Sequence, residues 1–417
     1  MRHTSIAVIG AGITGVTTVY ALLQHGYDVT LIDRHPHPSL ETSYANGGQL
    51  SASNAEVWNS WSTVLKGLRW MFQAQAPLLL NPAFSLHKYS WLAEFVIGIR
   101  HHKANTIETT RMAIAARRRL FDIAEREGIQ FDLQKRGILH LYNDKASFDT
   151  ATAGNELLLQ GGLERYAVTN AEIHTIEPTL TPSFYGGFYT PSDATGDIRL
   201  FTRGLAEVCR RRGASFRLDT SIARIETKAG KVQLHAASGT DGTVSLIEAD
   251  ALIVCAGVES RNIAAQLGDR LNIYPVKGYS ITVGLDDPAS QSAAPTVSLL
   301  DESAKIVTSR LGRQRFRVAG TAEFNGYNRD IRMDRIEPLI RWCRRLFPGM
   351  STATVIPWAG LRPMMPNMMP YVGPGRRPGV YYNTGHGHLG WTLCAETASL
   401  IALLVGQTMR RPLQVAG

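Results

Sequence analysis

Apolar residues recur along the chain in distinguishable periods, and those periods place most of the elements. Residues 6–9 (IAVI) are an unbroken apolar run, residues 13–24 repeat their apolar positions at helical spacing, and residues 28–33 (DVTLID) are a second strand-like run. Strand, helix, strand in that order predicts two parallel strands joined by a crossover helix. From Trp58 to about residue 102 the texture shifts to Trp, Leu, Lys, Arg and Pro, and residues 107–127 then read as a long basic amphipathic helix.

Beyond it, residues 137–142 (GILHLY) predict a strand, and residues 199–212 a helix leading into a short strand at 215–218. Residues 222–236 and 244–255 predict one hairpin, turned at Gly239-Thr240-Asp241-Gly242 and ending in Ala256-Gly257. Residues 275–283, 304–310 and 315–321 alternate as antiparallel strands do, and residues 335–347 form an amphipathic helix with a basic side. The chain closes with a strand at 380–383, a Gly- and His-rich turn and an apolar helix at 391–406. A parallel sheet followed by an antiparallel one, without repeats or low-complexity linkers, predicts an α/β chain whose second domain is α+β and interleaved with the first.

Composition narrows the class. The 417 residues, 44% hydrophobic and 19% charged, exclude a disordered, collagenous or coiled-coil chain. Cys209, Cys255, Cys343 and Cys394 are widely spaced and form no C-x-x-C pair, which argues against a disulfide framework or zinc site and fits a reducing compartment. The longest charge-free run, residues 70–87, holds Pro77 and Pro82, so no spanning helix is expected there. The apolar stretch after Met1-Arg2-His3 is broken by glycines and followed by a second strand, so it is not expected to be a signal peptide. The net charge of +9 comes from short scattered groups such as Arg117-Arg118-Arg119 and Arg410-Arg411, with no basic arm or aromatic-interleaved stripe, so nucleic acid is not an expected partner.

The chemistry concentrates in three places. Gly10-Ala11-Gly12-Ile13-Thr14-Gly15 is G-x-G-x-x-G set between a strand and a helix, with Asp33 at the end of the next strand. Ile9 to Gly15, Asp33 and Arg34 are therefore candidates for a dinucleotide site, Gly10 for the tight turn, Gly12 for the approach of the pyrophosphate, Gly15 for close packing of helix and strand, and Asp33 for an adenosine ribose. The fingerprint alone does not separate NAD from FAD. A nicotinamide enzyme usually continues with alternating strands and helices, whereas here the second strand runs into Ser43-Tyr44-Ala45-Asn46-Gly47-Gly48-Gln49-Leu50-Ser51, a small polar loop suited to a large planar cofactor.

Near the other end, Gly385-His386-Gly387-His388-Leu389-Gly390 precedes a helix whose positive end can face the negative charge of a reduced flavin. His386 and His388 are either ligand contacts or structural loop residues. Arg362, in Gly360-Leu361-Arg362-Pro363, is a lone cation among uncharged neighbours. It is either a carboxylate anchor for an amino or hydroxy acid or half of a structural salt bridge. The four methionines around it read as adaptable packing.

Taken together, the fingerprint, residues 45–51, Pro275-Val276-Lys277-Gly278-Tyr279, residues 360–363 and the 385–391 turn resemble the D-amino-acid oxidase and glycine oxidase family of flavoproteins. Residues 41–70 and 320–329 (GTAEFNGYNR) are similar, within it, to the bacterial D-amino-acid dehydrogenase small-subunit branch. The resemblance implies FAD, oxidative deamination of D-amino acids to 2-oxo acids and ammonia, and electrons passed to a respiratory acceptor such as a membrane quinone. It also implies Arg362 as the carboxylate anchor, with His388 near the substrate. Many members have Glu where this chain has Asp33, and Tyr279 and Tyr327 are the candidates for the active-site tyrosine some oxidases use.

The division expected on these grounds is a discontinuous Rossmann-like FAD-binding domain (residues 1–60, 160–270 and 355–417) and an antiparallel-sheet substrate domain (61–159 and 271–354). Cofactor contacts are expected at the residues above and at Asn46, Gly47, Gly48, Gln49, Leu50, Gly257, Gly385, Gly387, His388, Leu389 and Gly390. Rival readings are a flavin oxidase or dehydrogenase of secondary amines such as sarcosine or proline derivatives, or a non-catalytic FAD-binding subunit. Trp58, Trp61, Trp70 and Trp91, beside Lys66, Arg69, Lys88, Arg100, His101, His102 and Lys103, either cap a core or meet an anionic membrane surface; the second predicts a cytoplasmic enzyme peripheral to the inner face of the cell membrane.

Overall fold

The computed structural model describes residues 4–70, 77–240 and 242–409, without the side chains of 68–70. Strand Ser5–Ile9 lies between Asp28–Ile32 and Ala251–Val254 and runs parallel to both. From Ile6 to Ile9 it is apolar because both of its faces are covered. Ile6 and Val8 pack with helices Ile13–Gln24, Ile198–Arg211 and Gly390–Met409, whereas Ala7 and Ile9 pack against Val232 and Leu234 of a small antiparallel sheet and against Ala264 of helix Ser260–Gln266. The full sheet runs Tyr371–Pro374, Val380–Thr384, Ala251–Val254, Ser5–Ile9, Asp28–Ile32, Ser215–Arg217, and only its first strand is antiparallel to its neighbour.

A second, nine-stranded mixed sheet forms the core of the other half. At its centre Tyr274–Gly284, Arg315–Phe324 and Ile306–Leu311 pair antiparallel, and Val355–Met364 borders the first of them. Tyr279, Ile281, Phe316 and Val318 point to one face, under helix Met333–Leu346. The opposite face looks toward the nucleotide-binding half.

Three expectations differ from this arrangement. The single hairpin at 222–255 is a three-stranded meander, Thr220–Lys228, Lys231–Ser238 and Val244–Ala249, because the chain turns at Ala229 (φ 50°) and Gly230 (φ 74°); Ala251–Val254 then enters the parallel sheet. Residues 160–190 were grouped with the nucleotide domain, yet Tyr166–Val168 and Gly186–Thr190 pair in the nine-stranded sheet. Val355–Met364 belongs to that sheet as well, so the last crossover comes after Arg362, not before it. An apolar window within Gly387–Met409 (mean hydropathy 1.6) is long enough to cross a membrane by composition, but 61% of it is buried inside the fold, as in a core helix.

Candidate active site

A cavity of about 610 Å³ runs between the two sheets. At one end are Ile9, Gly10, Gly12, Ile13, Thr14, Asp33 and Arg34. Gly10 has φ 109°, and a Cβ there would sit 2.5 Å from the Cys255 carbonyl oxygen, so only glycine fits the turn. Asp33 holds this turn from outside: one carboxylate oxygen accepts the Ala11 N–H at 2.5 Å and the other that of His35 at 2.8 Å. Arg34 is paired with Glu41 and Glu259 at the rim. Ala11, Gly15 and Leu50, counted among the cofactor-site residues, do not line the cavity; Ala11 and Leu50 are core residues, and Gly15 has the packing role expected of it, a Cβ there lying 1.7 Å from the Gly10 carbonyl oxygen. These three are packing residues.

Midway, Asn46, Gly47, Gly48 and Gln49 form one wall, Gly257 lies at the cavity's edge, and Gly385, Gly387, His388, Leu389 and Gly390 form the opposite wall. Gly385 and Gly387 have φ values of 76° and 59°, which bring the chain sharply round into the helix beginning at Gly390. His386 Nε2 lies 2.9 Å from Thr397 Oγ1, so this histidine pins the turn to its own helix.

Arg362 and His388 meet at the far end. Arg362 donates from Nη1 to the Thr321 carbonyl at 3.1 Å and has no ion-pair partner among the described residues. The part of it left accessible lines the cavity, and desolvation pulls its guanidinium down to about 10, still charged at neutral pH. A Cβ on Gly278, the residue opposite in the pairing of Tyr274–Gly284 with Val355–Met364 that holds Gly278 against Gly360, would be 2.3 Å from that guanidinium. The glycine makes its berth. His388 Nε2 reaches the Asn54 carbonyl at 3.3 Å, and its ring stacks on Trp58 at 4.5 Å between centroids. A carbonyl only accepts, so Nε2 carries the proton; burial, with Arg362 adding its charge, lowers the imidazole to about 4 and keeps it neutral.

Tyr279 is not brought to this point. Its backbone borders the cavity, but its hydroxyl donates to Glu323 Oε2 at 2.8 Å inside the cluster under helix Met333–Leu346. Burial and the Glu323 carboxylate hold the phenol above its usual range. Strand alternation is the reason: Gly278 and Ser280 take the cavity face, so Tyr279 takes the other.

The residues present fit a flavin dinucleotide: a glycine turn under a helix start, a polar wall of small residues, a helix N-terminus facing it and a substrate end with a free guanidinium. The family model described as FAD dependent oxidoreductase matches residues 5–404. The chain belongs to this family. Its FAD-dependent relatives include D-amino acid dehydrogenase 3 of Mesorhizobium japonicum, 62% identical over 400 residues and covering 96% of each chain. The D-amino acid dehydrogenase of Dechloromonas aromatica is 39% identical over 416 residues, 98% of this chain and 97% of that one. Among solved structures, glycine oxidase from Geobacillus kaustophilus superposes with a TM-score of 0.73 at 19% identity, over 98% of this chain and 96% of its own. L-proline dehydrogenase from P. horikoshii gives 0.73 at 16%, over 97% and 94%. The fold of this flavoenzyme is thus shared across differing chemistries.

Several lining residues carried no individual role in the sequence: Asn54, Trp58, Thr321, Glu302 and Lys305. Trp58 and Asn54 lie in the 41–70 tract, so the resemblance marked the segment but not the side chains. Thr321 is β-branched at φ 60°, a conformation costing roughly 1–3 kcal/mol that nothing in a sequence announces.

Proposed function

We propose that this flavoenzyme oxidises D-amino acids to 2-oxo acids and ammonia and passes the electrons to a membrane-dissolved acceptor such as a quinone. The carrying observation is Arg362, a charged guanidinium on the cavity wall with no carboxylate to pair with among the described residues. A planar guanidinium takes a carboxylate through two parallel hydrogen bonds, which fixes the amino acid in place and in orientation. Thr321 steadies Arg362 from behind through its carbonyl, and the neutral His388–Trp58 stack forms a side wall that adds no second charge. Bound FAD supplies the two-electron acceptor for the α-hydrogen and its electron pair. The substrate amine, neutral when it reacts, pushes that pair out as an imine forms, so no side-chain base at carbon is needed; water then hydrolyses the imine. The relatives' names point to the D series. An anaerobic panel of D- and L-amino acids with sarcosine and proline, read at the flavin absorbance, should show bleaching fastest with D-amino acids. Faster bleaching by sarcosine or proline would overturn the reading, and no bleaching by any substrate would favour a non-catalytic subunit.

The membrane component of this reading rests on a different set of residues from that expected. Trp91 is interior, Trp58 is half-buried against His388, and Lys88 is buried with its ammonium on the carbonyls of Asn81 and Ala83. The side chains of Arg69 and Trp70 lie outside the described residues. What is exposed is Trp61 (61%) and Leu65 on helix Trp61–Trp70, Phe84 (76%) before helix Leu86–Gly98, and Leu86 (76%) and Ile97 on that helix, with Lys66, Arg100 and Lys103 of the same stretch of chain also exposed. Exposed apolar side chains together with exposed cations suit an anionic leaflet, each cation contributing about 1 kcal/mol near the surface and less in salt. The enzyme should sediment with anionic vesicles at low salt, less at high salt, and not with neutral ones. Trp61→Ser/Phe84→Ser should stay in the supernatant; wild type remaining there would place electron transfer on a soluble carrier and the enzyme in the cytoplasm.

A further inference from the structure

Three successive carbonyls of the 45–51 loop are each held by a side chain from a different strand of the nine-stranded sheet. Ser280 Oγ donates to the Ala45 carbonyl at 2.7 Å, Arg317 Nη1 to that of Asn46 at 3.0 Å, and Ser309 Oγ to that of Gly47 at 2.6 Å. The three donors come from adjacent strands; Arg317 pairs with Ser309 on one side and Thr282 on the other, and its Nε bonds Thr282 Oγ1 at 2.8 Å. All three donors are buried. The loop lies so close to the sheet that a Cβ on Gly47 would be 2.7 Å from Val307, and one on Gly48 2.9 Å from Ser309 Oγ.

A trans peptide is planar, so the N–H of each residue points opposite to the carbonyl before it. With the carbonyls of Ala45 and Asn46 turned to the sheet, the N–H groups of Asn46 and Gly47 are turned away from it. Neither meets a protein acceptor among the described residues, and both residues line the cavity. The next N–H, of Gly48, is taken by Asn46 Oδ1 at 2.9 Å, which fixes the loop's curl.

We propose that Ser280, Arg317 and Ser309 are positioning residues that hold the N–H groups of Asn46 and Gly47 as a fixed donor pair for the flavin ring, and so set its reduction potential. The inference rests on the family's FAD. Reduction adds negative charge to the ring, and donors that need not reorganise stabilise the reduced form more than the oxidised one. Arg317 adds to this through the chain of bonds: a cation drawing on the Asn46 carbonyl makes the following N–H a stronger donor.

The test is the two-electron midpoint potential of FAD-loaded wild type, Ser280→Ala, Ser309→Ala, Arg317→Met and Arg317→Lys, with the affinity of each apoprotein for oxidised FAD. Arg317→Met should lower the preference for reduced over oxidised flavin about tenfold, ~30 mV for a two-electron couple, with Arg317→Lys recovering part and oxidised FAD bound within about threefold of wild type. Each serine variant should shift the potential in the same direction by less, and these two decide the matter if Arg317→Met does not fold. Unchanged potentials in the loaded variants, or parallel loss of oxidised and reduced FAD, would reduce the three side chains to scaffolding. A wild type that takes up no FAD would instead sink the cofactor assignment.

Discussion

Gly12→Val should fold and purify without FAD. Of the three fingerprint glycines only this one separates binding from folding. A side chain at Gly10 or Gly15 would strike backbone, at 2.5 Å and 1.7 Å, and Gly10 also has φ 109°. Gly12 has φ −73° and ψ 178°, open to any residue, and the nearest atom to an added Cβ is Ser43 Oγ at 3.4 Å. The valine methyls therefore enter the cavity at the helix start, where a pyrophosphate must approach the N–H groups. Stability of the apoprotein should stay within about 1 kcal/mol of wild type. Wild type should gain about 2.7 kcal/mol at an FAD concentration a hundred times Kd, and the variant should gain nothing. A variant that purifies with full yellow FAD content would show that the pyrophosphate lies elsewhere.

The local parts of this architecture were legible because they are written in short-range periods. Residues 6–33 state strand, turn, helix and strand in sequence, and the covering of both sheet faces follows from unbroken apolar runs. Val355–Met364 was not legible: Pro357, Gly360 and Pro363 are poor strand residues, and the segment is a strand because Tyr274–Gly284 pairs along its whole length. The turn at Ala229-Gly230 carries little local signal because alanine has no turn preference, yet here it adopts φ 50°. The site shows the same division. Arg362 stands out as one cation in an uncharged stretch, and in space it has room beside Gly278, a hydrogen bond to the Thr321 carbonyl and no acidic partner among the described residues. Tyr279 was chosen by residue type, and only the register of its strand reveals that Gly278 and Ser280 own the cavity face. Trp58 was read with a membrane tract because tryptophan beside basic residues suits an interface; its stacking on His388, 330 positions later by residue number (388 − 58), is a tertiary fact.

Arg362→Ala should retain FAD and lose most of its activity. Among the described residues the guanidinium hydrogen-bonds only the Thr321 carbonyl, so removing it leaves none of their carboxylates buried and unpaired in the free enzyme. The loss should therefore fall on substrate: truncating one partner of a buried, hydrogen-bonded charge pair costs on the order of 2–5 kcal/mol, or roughly 10²–10³-fold in kcat/KM. Arg362→Lys should recover part, since an ammonium restores charge but not the two parallel bonds. Gly278→Ala should raise KM with the charge still present, because the added methyl takes the space of the guanidinium. The pH profile supplies a second check. His388, lowered to about 4, is already neutral throughout the working range, so His388→Gln should leave the shape of the acid limb unchanged, that limb belonging to the substrate amine. Arg362 keeps its proton below about 10, so kcat/KM should fall above that pH as the cation is lost. A bound carboxylate favours the charged form, which moves the corresponding limb in kcat to higher pH than the limb in kcat/KM. If Arg362→Ala oxidises D-alanine with unchanged kcat/KM, the carboxylate is held elsewhere, and the free guanidinium at the end of the cavity has another use.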